Sequence, residues 1–93
     1  AMSDVFSALA HPVRRDVLRL LRDGPMTAGD LAEQFDVAKP TMSRHFATLK
    51  EADLIQAEKV GNSIRYRLNA SVAEELLGLM MGLLQSPDTK KEL

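Results

Sequence analysis

The sequence predicts a mainly α-helical domain with one β-hairpin, α+β in class, in the element order α-α-α-α-β-β-α. Three observations predict it. Apolar residues recur at helical spacing along most of the chain, two alternating runs flank Gly61-Asn62, and Gly, Pro and capping residues stand at the boundaries between them. At 93 residues, 45% apolar and 27% charged, the chain is sized for one core. One domain is therefore expected over 3–86, with 87–93 a polar tail. Ala1, ahead of a Met, looks like a cloning remnant and carries no part of the reading.

The first helix is expected from Asp4 to Ala10, with Val5, Phe6 and Leu9 on one side. His11-Pro12 breaks it, and Pro12 suits the first turn of a new helix. In that second helix Val13, Val17, Leu18, Leu20 and Leu21 form the apolar side, and Arg15, Arg19 and Arg22 the other; Gly24-Pro25 ends it, with Gly24 expected at C′. Thr27 caps a third helix and Asp30 answers it three residues later; Leu31, Ala32 and Phe35 are its buried positions. Asp36 stands at a tight corner, where Asp tolerates the left-handed conformation that Gly usually fills.

A fourth helix is expected from Lys39 to Ala52. Met42, Phe46 and Leu49 form its core stripe, and Thr41, Arg44 and Thr48 lie opposite. Ile55–Val60 and Ile64–Leu68 then form a hairpin about Gly61-Asn62, because Gly supplies positive φ in a tight turn. On its second strand Ile64, Tyr66 and Leu68 alternate with Ser63, Arg65 and Arg67, so one face is apolar and the other polar or basic. Ser71-Val72-Ala73-Glu74 is a second capping box, opening a last helix that runs to about Gln85.

Composition excludes several functions. There is no Cys, so disulfides, thiolate metal sites and thiol redox chemistry are out. With no Trp and one Tyr, a broad stacking platform for single strands is not expected. No apolar run approaches the ~18–20 residues of a membrane span. The N-terminus lacks the basic and apolar regions of a secretory signal, so a cytoplasmic protein is expected. No paired-carboxylate or nucleophile constellation and no phosphate-binding loop is visible, so no enzyme is expected. The net charge is −1, but residues 39–67 carry +3 between flanks of −2 each. Positive charge gathered in the middle third fits a local nucleic-acid footprint.

Two short helices joined by a tight corner form a helix-turn-helix, whose second helix can lie in the major groove of DNA; a basic hairpin directly after it makes a wing. Four segments resemble the ArsR/SmtB family of winged helix-turn-helix repressors. Ala10-His11-Pro12-Val13-Arg14-Arg15 is similar to the family's small-x-Pro-x-Arg opening. Ser43-Arg44-His45-Phe46-Ala47-Thr48-Leu49 is similar to its Ser-x-His-Leu-x-x-Leu recognition helix. Ala52-Asp53-Leu54-Ile55 follows like its Ala-Gly-Leu-Val, and Gly61 with Tyr66-Arg67-Leu68 matches its wing. The resemblance covers about 4–85. Met26 to Ala32 and Lys39-Pro40 bring it nearest the SdpR-like autorepressor subgroup.

The resemblance implies a bacterial, homodimeric, sequence-specific repressor that binds double-stranded operator DNA at an inverted repeat. The candidate DNA contacts are Lys39, Pro40, Thr41, Ser43, Arg44, His45, Thr48 and Lys50 on the recognition helix and Lys59, Asn62, Arg65 and Arg67 on the wing, together with Arg14, Arg15 and Thr27. Thr27 reads as a cap first and a phosphate contact second, and His45 either orients the recognition helix or bonds a phosphate. The chain also departs from the family. The Cys of the helix-turn-helix and the His of the last helix that serve its metal sensors are missing, so no metal or other cofactor is expected. Ala38 stands where a Ser or Thr often caps the recognition helix, and Asn62 where the wing tip is usually basic.

The last helix is apolar almost all round, and a helix of that kind must be buried on both sides. The expected solution is a two-fold dimer built from Val5, Phe6 and Leu9 of the first helix and Leu76, Leu77, Met80, Met81, Leu83 and Leu84 of the last. A hydrophobic ligand, or a membrane or protein partner that releases repression, is the alternative use of that surface. A second class of function, a winged-helix module that binds protein and not DNA, would show an acidic or apolar recognition face; this one is basic and polar.

Overall fold

The structure, a computed structural model, describes residues 2–85. Its elements run α1 (Met2–Leu9), α2 (Pro12–Leu21), β1 (Met26–Thr27), α3 (Ala28–Glu33), α4 (Lys39–Glu51), β2 (Ile55–Val60), β3 (Ser63–Leu68) and α5 (Ala70–Leu84). The mainly helical class with a β wing is the one the sequence predicts. The tail at 87–93 lies outside the described residues.

One core holds the helices together. Val5 and Ala8 of α1, Val17 and Leu21 of α2, Leu31 of α3 and Met42, Phe46 and Leu49 of α4 are buried in a single cluster with Leu54, Ile55 and Val72. Truncating one fully buried Leu in such a cluster costs about 2–5 kcal/mol. A missing N-cap costs about 1 kcal/mol. Packing therefore decides where α4 sits, even though Ala38 makes no side-chain cap bond. Pro40, in the first turn of α4, has no N–H to leave unsatisfied, which lessens that loss further.

The sheet has a third strand that the sequence reading did not contain. β1 pairs antiparallel with β3, Met26 opposite Tyr66 and Thr27 opposite Arg65, giving the order β1-β3-β2. Two residues are too few to show an alternation. The wing hairpin is in the expected register, from Val60 opposite Ser63 to Ile55 opposite Leu68. Gly61 takes φ +61° in its two-residue turn. Positive φ at the first central position alone matches a type II′ turn.

Three boundary expectations are corrected. The left-handed residue is not Asp36 but Asp53, at φ 60°, the one non-glycine with positive φ among the described residues. It closes α4 as a Schellman motif: the Leu54 amide donates to the Leu49 carbonyl (3.0 Å) and the Asp53 amide to the Lys50 carbonyl (2.9 Å). The family places Gly where Asp53 stands, and this backbone conformation gives the reason. Helix α5 starts one residue ahead of Ser71. Asn69 caps it, its Oδ1 accepting from the Ser71 amide at 3.2 Å, while the Asn69 amide donates to the Leu54 carbonyl at 3.0 Å. Gly24, at φ +139°, falls one residue beyond C′, because Arg22 is the C-cap of α2. The Thr27 cap is as expected, its hydroxyl accepting from the Asp30 amide at 3.1 Å.

Asp53→Gly removes the left-handed penalty of an L-residue, about 1–2 kcal/mol, and adds glycine's unfolded-state entropy of about 0.5–1 kcal/mol. The variant is expected to gain up to ~1.5 kcal/mol in urea denaturation, and Asp53→Val to lose at least ~1 kcal/mol. Equal stability of the two would place Asp53 outside the left-handed region.

Candidate nucleic-acid interface

Helix α4 is buried along Met42, His45, Phe46 and Leu49. At 100° per residue the opposite side is centred on Pro40, Ser43, Arg44, Ala47 and Glu51, all exposed, with Lys39 and Lys50 exposed beside them. Thr41 and Thr48 are half-buried on one flank, and Thr48 lines a small cleft with Asp4 and Ser7 of α1. The outward face is thus turned away from the Thr41–Arg44–Thr48 line that the sequence suggested. Ala47 is the residue that reading missed; a helical wheel centred on the buried stripe would have found it. A small apolar side chain there can meet a thymine methyl, and the Arg44 guanidinium can address guanine O6 and N7.

The wing meets α3 and α4 across a groove of about 570 Å³, lined by Phe35, Val37, Met42, Phe46, Ile64 and Tyr66 with Lys39 and Ser43 beside them. The Phe46 and Tyr66 rings pack at 5.0 Å, and burial pushes the Tyr66 hydroxyl pKa up. The face of β3 that carries Ile64 and Tyr66 therefore turns toward α4. Lys59 is paired opposite Ile64 and shares that face; Arg65 and Arg67 are on the other one. Arg65 donates from Nε and Nη2 to Oε1 of Glu58 (3.2 and 2.9 Å), the residue opposite it in register. The Arg65 guanidinium holds the Glu58 carboxyl below its ordinary pKa. Arg67 donates from Nε to Gln56 Oε1 at 3.1 Å. Both wing arginines are thus engaged, and the cation on the α4 side is Lys59. Asn62 is exposed at the wing tip.

Arg14 and Arg15, expected as DNA contacts, hold the C-terminus of α1. Arg14 donates from Nε to the Ala8 carbonyl (2.6 Å) and from Nη2 to the Ser7 carbonyl (3.1 Å), and Arg15 donates from Nη1 to the Leu9 carbonyl at 2.7 Å. Carbonyls at a helix C-terminus have no intrahelical donors, and cations suit the negative end of the dipole. The remaining Arg14 nitrogen, Nη1, lies 3.2 Å from Nδ1 of His45. His45 is 7% exposed, so it belongs to the interior and not to the outward face. Its ring lies 4.4 Å from that of His11, which caps α2 by accepting from the Val13 amide at 3.1 Å. On the outer side of α2, Arg19 pairs with Asp16, and Arg22 with Asp23 at 3.6 Å.

The face expected to dimerise divides in two. Val5 is 3% exposed, a core residue of the single chain and not a surface one, and Leu9 is partly buried against the same core. Phe6 is exposed, as are Leu77, Met80, Met81, Leu83 and Leu84 of α5, where only Val72 is buried. Leu76 is partly buried. Leu9, Leu18, Leu54 and Leu68 face Ala73, Leu76, Leu77 and Met80 across an apolar groove of about 530 Å³. Among the described residues no group of three or more His, Cys, Asp or Glu could hold a metal ion, and no helix is long and apolar enough to cross a membrane.

Comparison with known proteins places this geometry. Residues 9–56, which span α2, β1, α3, α4 and the start of β2, match a family model described as a helix-turn-helix domain. The transcriptional repressor SdpR of Bacillus subtilis is 40% identical over 87 residues, covering 94% of this chain and 97% of that protein. An arsenical resistance operon repressor of Staphylococcus aureus is 32% identical over 76 residues, covering 82% of this chain and 73% of that one. A crystal structure of an ArsR family transcriptional regulator superposes with TM-score 0.77 at 32% identity, covering 91% of this chain and 97% of its own. A crystal structure of a possible transcriptional regulator for arsenical resistance also reaches 0.77, at 30% identity, covering 86% of this chain and 83% of the other. With its helix-turn-helix, its β wing and a bare polar face on α4, the chain belongs to the ArsR/SmtB family of winged helix-turn-helix transcriptional repressors.

Proposed function

We propose that this repressor works as a homodimer on double-stranded operator DNA, laying α4 of each copy into a major groove at the two halves of an inverted repeat. The observation that carries the reading is the outward face of α4, where Ser43, Arg44, Lys39 and Lys50 are exposed on a helix whose other side is fixed in the core. Arg44 and Ala47 read base edges. Lys39, Ser43, Lys50 and Lys59 hold phosphates, with Asn62 at the wing tip. Arg65 and Arg67, held by Glu58 and Gln56, keep further guanidinium N–H groups that reach flanking phosphate. Pairing two α5 helices, with Phe6 beside them, covers the apolar surface that a single chain leaves in water. Metal ions play no part in release, because the Cys of the helix-turn-helix and the His of the last helix that serve the family's metal sensors are missing.

Arg44→Ala is expected to lose about 1–3 kcal/mol on a duplex selected from a random pool, and much less on a scrambled duplex. Lys59→Ala should weaken both alike and flatten the salt dependence by about 0.9 in the log–log slope, one phosphate's worth. Arg65→Ala should flatten it by less than that, since Glu58 already neutralises the guanidinium. Binding titrations at several salt concentrations decide. Equal losses for Arg44→Ala on both duplexes would make Arg44 a phosphate clamp.

Leu84→Glu is expected to give monomers in sedimentation with the fold intact by circular dichroism, since Leu84 is 76% exposed in the single chain and eleven residues of α5 separate it from Val72. Burying that carboxylate between two apolar helices is strongly unfavourable. A dimer of unchanged strength would move the interface elsewhere. Zn, Cd or Ni added at constant ionic strength should leave DNA affinity unchanged; a saturable, stoichiometric loss would refute the metal-independent reading.

A further inference from the structure

Three basic side chains, His11, Arg14 and His45, meet where α1, α2 and α4 join. Arginine carries donors and no acceptor, so Nδ1 of His45 accepts from Arg14 Nη1 across the 3.2 Å between them. Nδ1 of His11 accepts in turn from the Val13 amide. An imidazolium has no acceptor at either nitrogen, so the Arg14 bond does not survive protonation of His45. The same Arg14 guanidinium holds the last carbonyls of α1 through Ala8 and Ser7. One planar group thus ties the C-terminus of α1 to the buried side of the helix whose other side faces DNA.

We propose that Arg14 and His45 are a positioning pair that sets α4 against α1, and that the pair holds only while His45 is neutral. On the α2 side His45 meets His11 at a ring distance of 4.4 Å and Arg14 at hydrogen-bonding distance, and both oppose a positive charge on it. From α1 it meets the Ser7 and Ala8 end through Arg14. The carboxylates along that seam are Asp4 of α1 and Glu51 of α4, which line the cleft with Ser7 and Thr48. On α4 itself Arg44, the adjacent residue, is exposed. Burial, then His11, then Arg14 hold the His45 pKa below its ordinary 6.5. Folding therefore favours neutral His45. Its contribution is whole above pH 6.5 and is lost as pH falls, and the loss removes the Arg14 link between α1 and α4 while their core contacts remain.

The DNA arm of this inference rests on the proposed reading of α4, and the protein arm does not. Between about pH 8 and about pH 5, wild-type affinity for the pool-selected duplex and wild-type urea stability should fall together. His45→Gln keeps an acceptor for Arg14 but cannot titrate, and its two profiles should be flatter, by about fivefold or more in affinity at the acid end. Arg14→Lys, which cannot hold three partners in one plane, should weaken binding at every pH. His45→Gln following the wild-type profile overturns the proposal. If that variant fails to fold, His11→Gln and the wild-type imidazole titrations by NMR decide. His45 titrating below 6.5 with its proton on Nε2 supports the pair, and titration at or above 6.5 overturns it. If no duplex is selected at any pH, the DNA reading fails while stability and imidazole titrations still judge the pair.

Discussion

The structure depends on one asymmetry, that of α4. Met42, Phe46 and Leu49 anchor one side of it in the core shared by α1, α2 and α3, which leaves Pro40, Ser43, Arg44 and Ala47 exposed on the other. A helix fixed in this way presents side chains whose positions are set before any contact with a partner, and preorganisation of this kind lowers the ordering cost of binding. The Schellman closure at Asp53 and the Asn69–Leu54 bond then lead the chain into the wing and α5 without loosening that anchor.

Much of this was legible in the sequence, because helices and hairpin strands of ordinary length repeat their apolar residues often enough to reveal a period. The stripe of α4, the Gly61 turn and the Thr27 cap were all read correctly from spacing. Strand β1 escaped because it exists only through its pairing with Tyr66 and Arg65, forty residues away in sequence. The left-handed site was misplaced for a related reason: Asp36 and Asp53 are the same residue type, and only the Schellman bonds distinguish them. Ser71 lost the cap to Asn69 because the Leu54 carbonyl holds the Asn69 amide where its side chain can reach the helix end.

The interface was harder to read than the fold. Its charges are legible as a count, but their use is decided by tertiary geometry. Arg14 and Arg15 look like free cations on a helix, yet both turn back six residues to the carbonyls that end α1. Arg65 and Arg67 look like a basic strand face, yet the register sets Glu58 and Gln56 opposite them. His45 lies within the motif that names the recognition helix, yet it is buried. In each case a polar group that could meet DNA finds a partner within the chain.

In the proposed function two copies of α4 read one duplex across a two-fold axis. In vitro selection of binding sites from a random duplex pool, read by sequencing, tests it most directly. The account predicts enrichment of an inverted repeat whose half-sites are about one helical turn, or a multiple of it, apart, centre to centre. Enrichment of a single asymmetric site, or no enrichment above the starting pool, would contradict it.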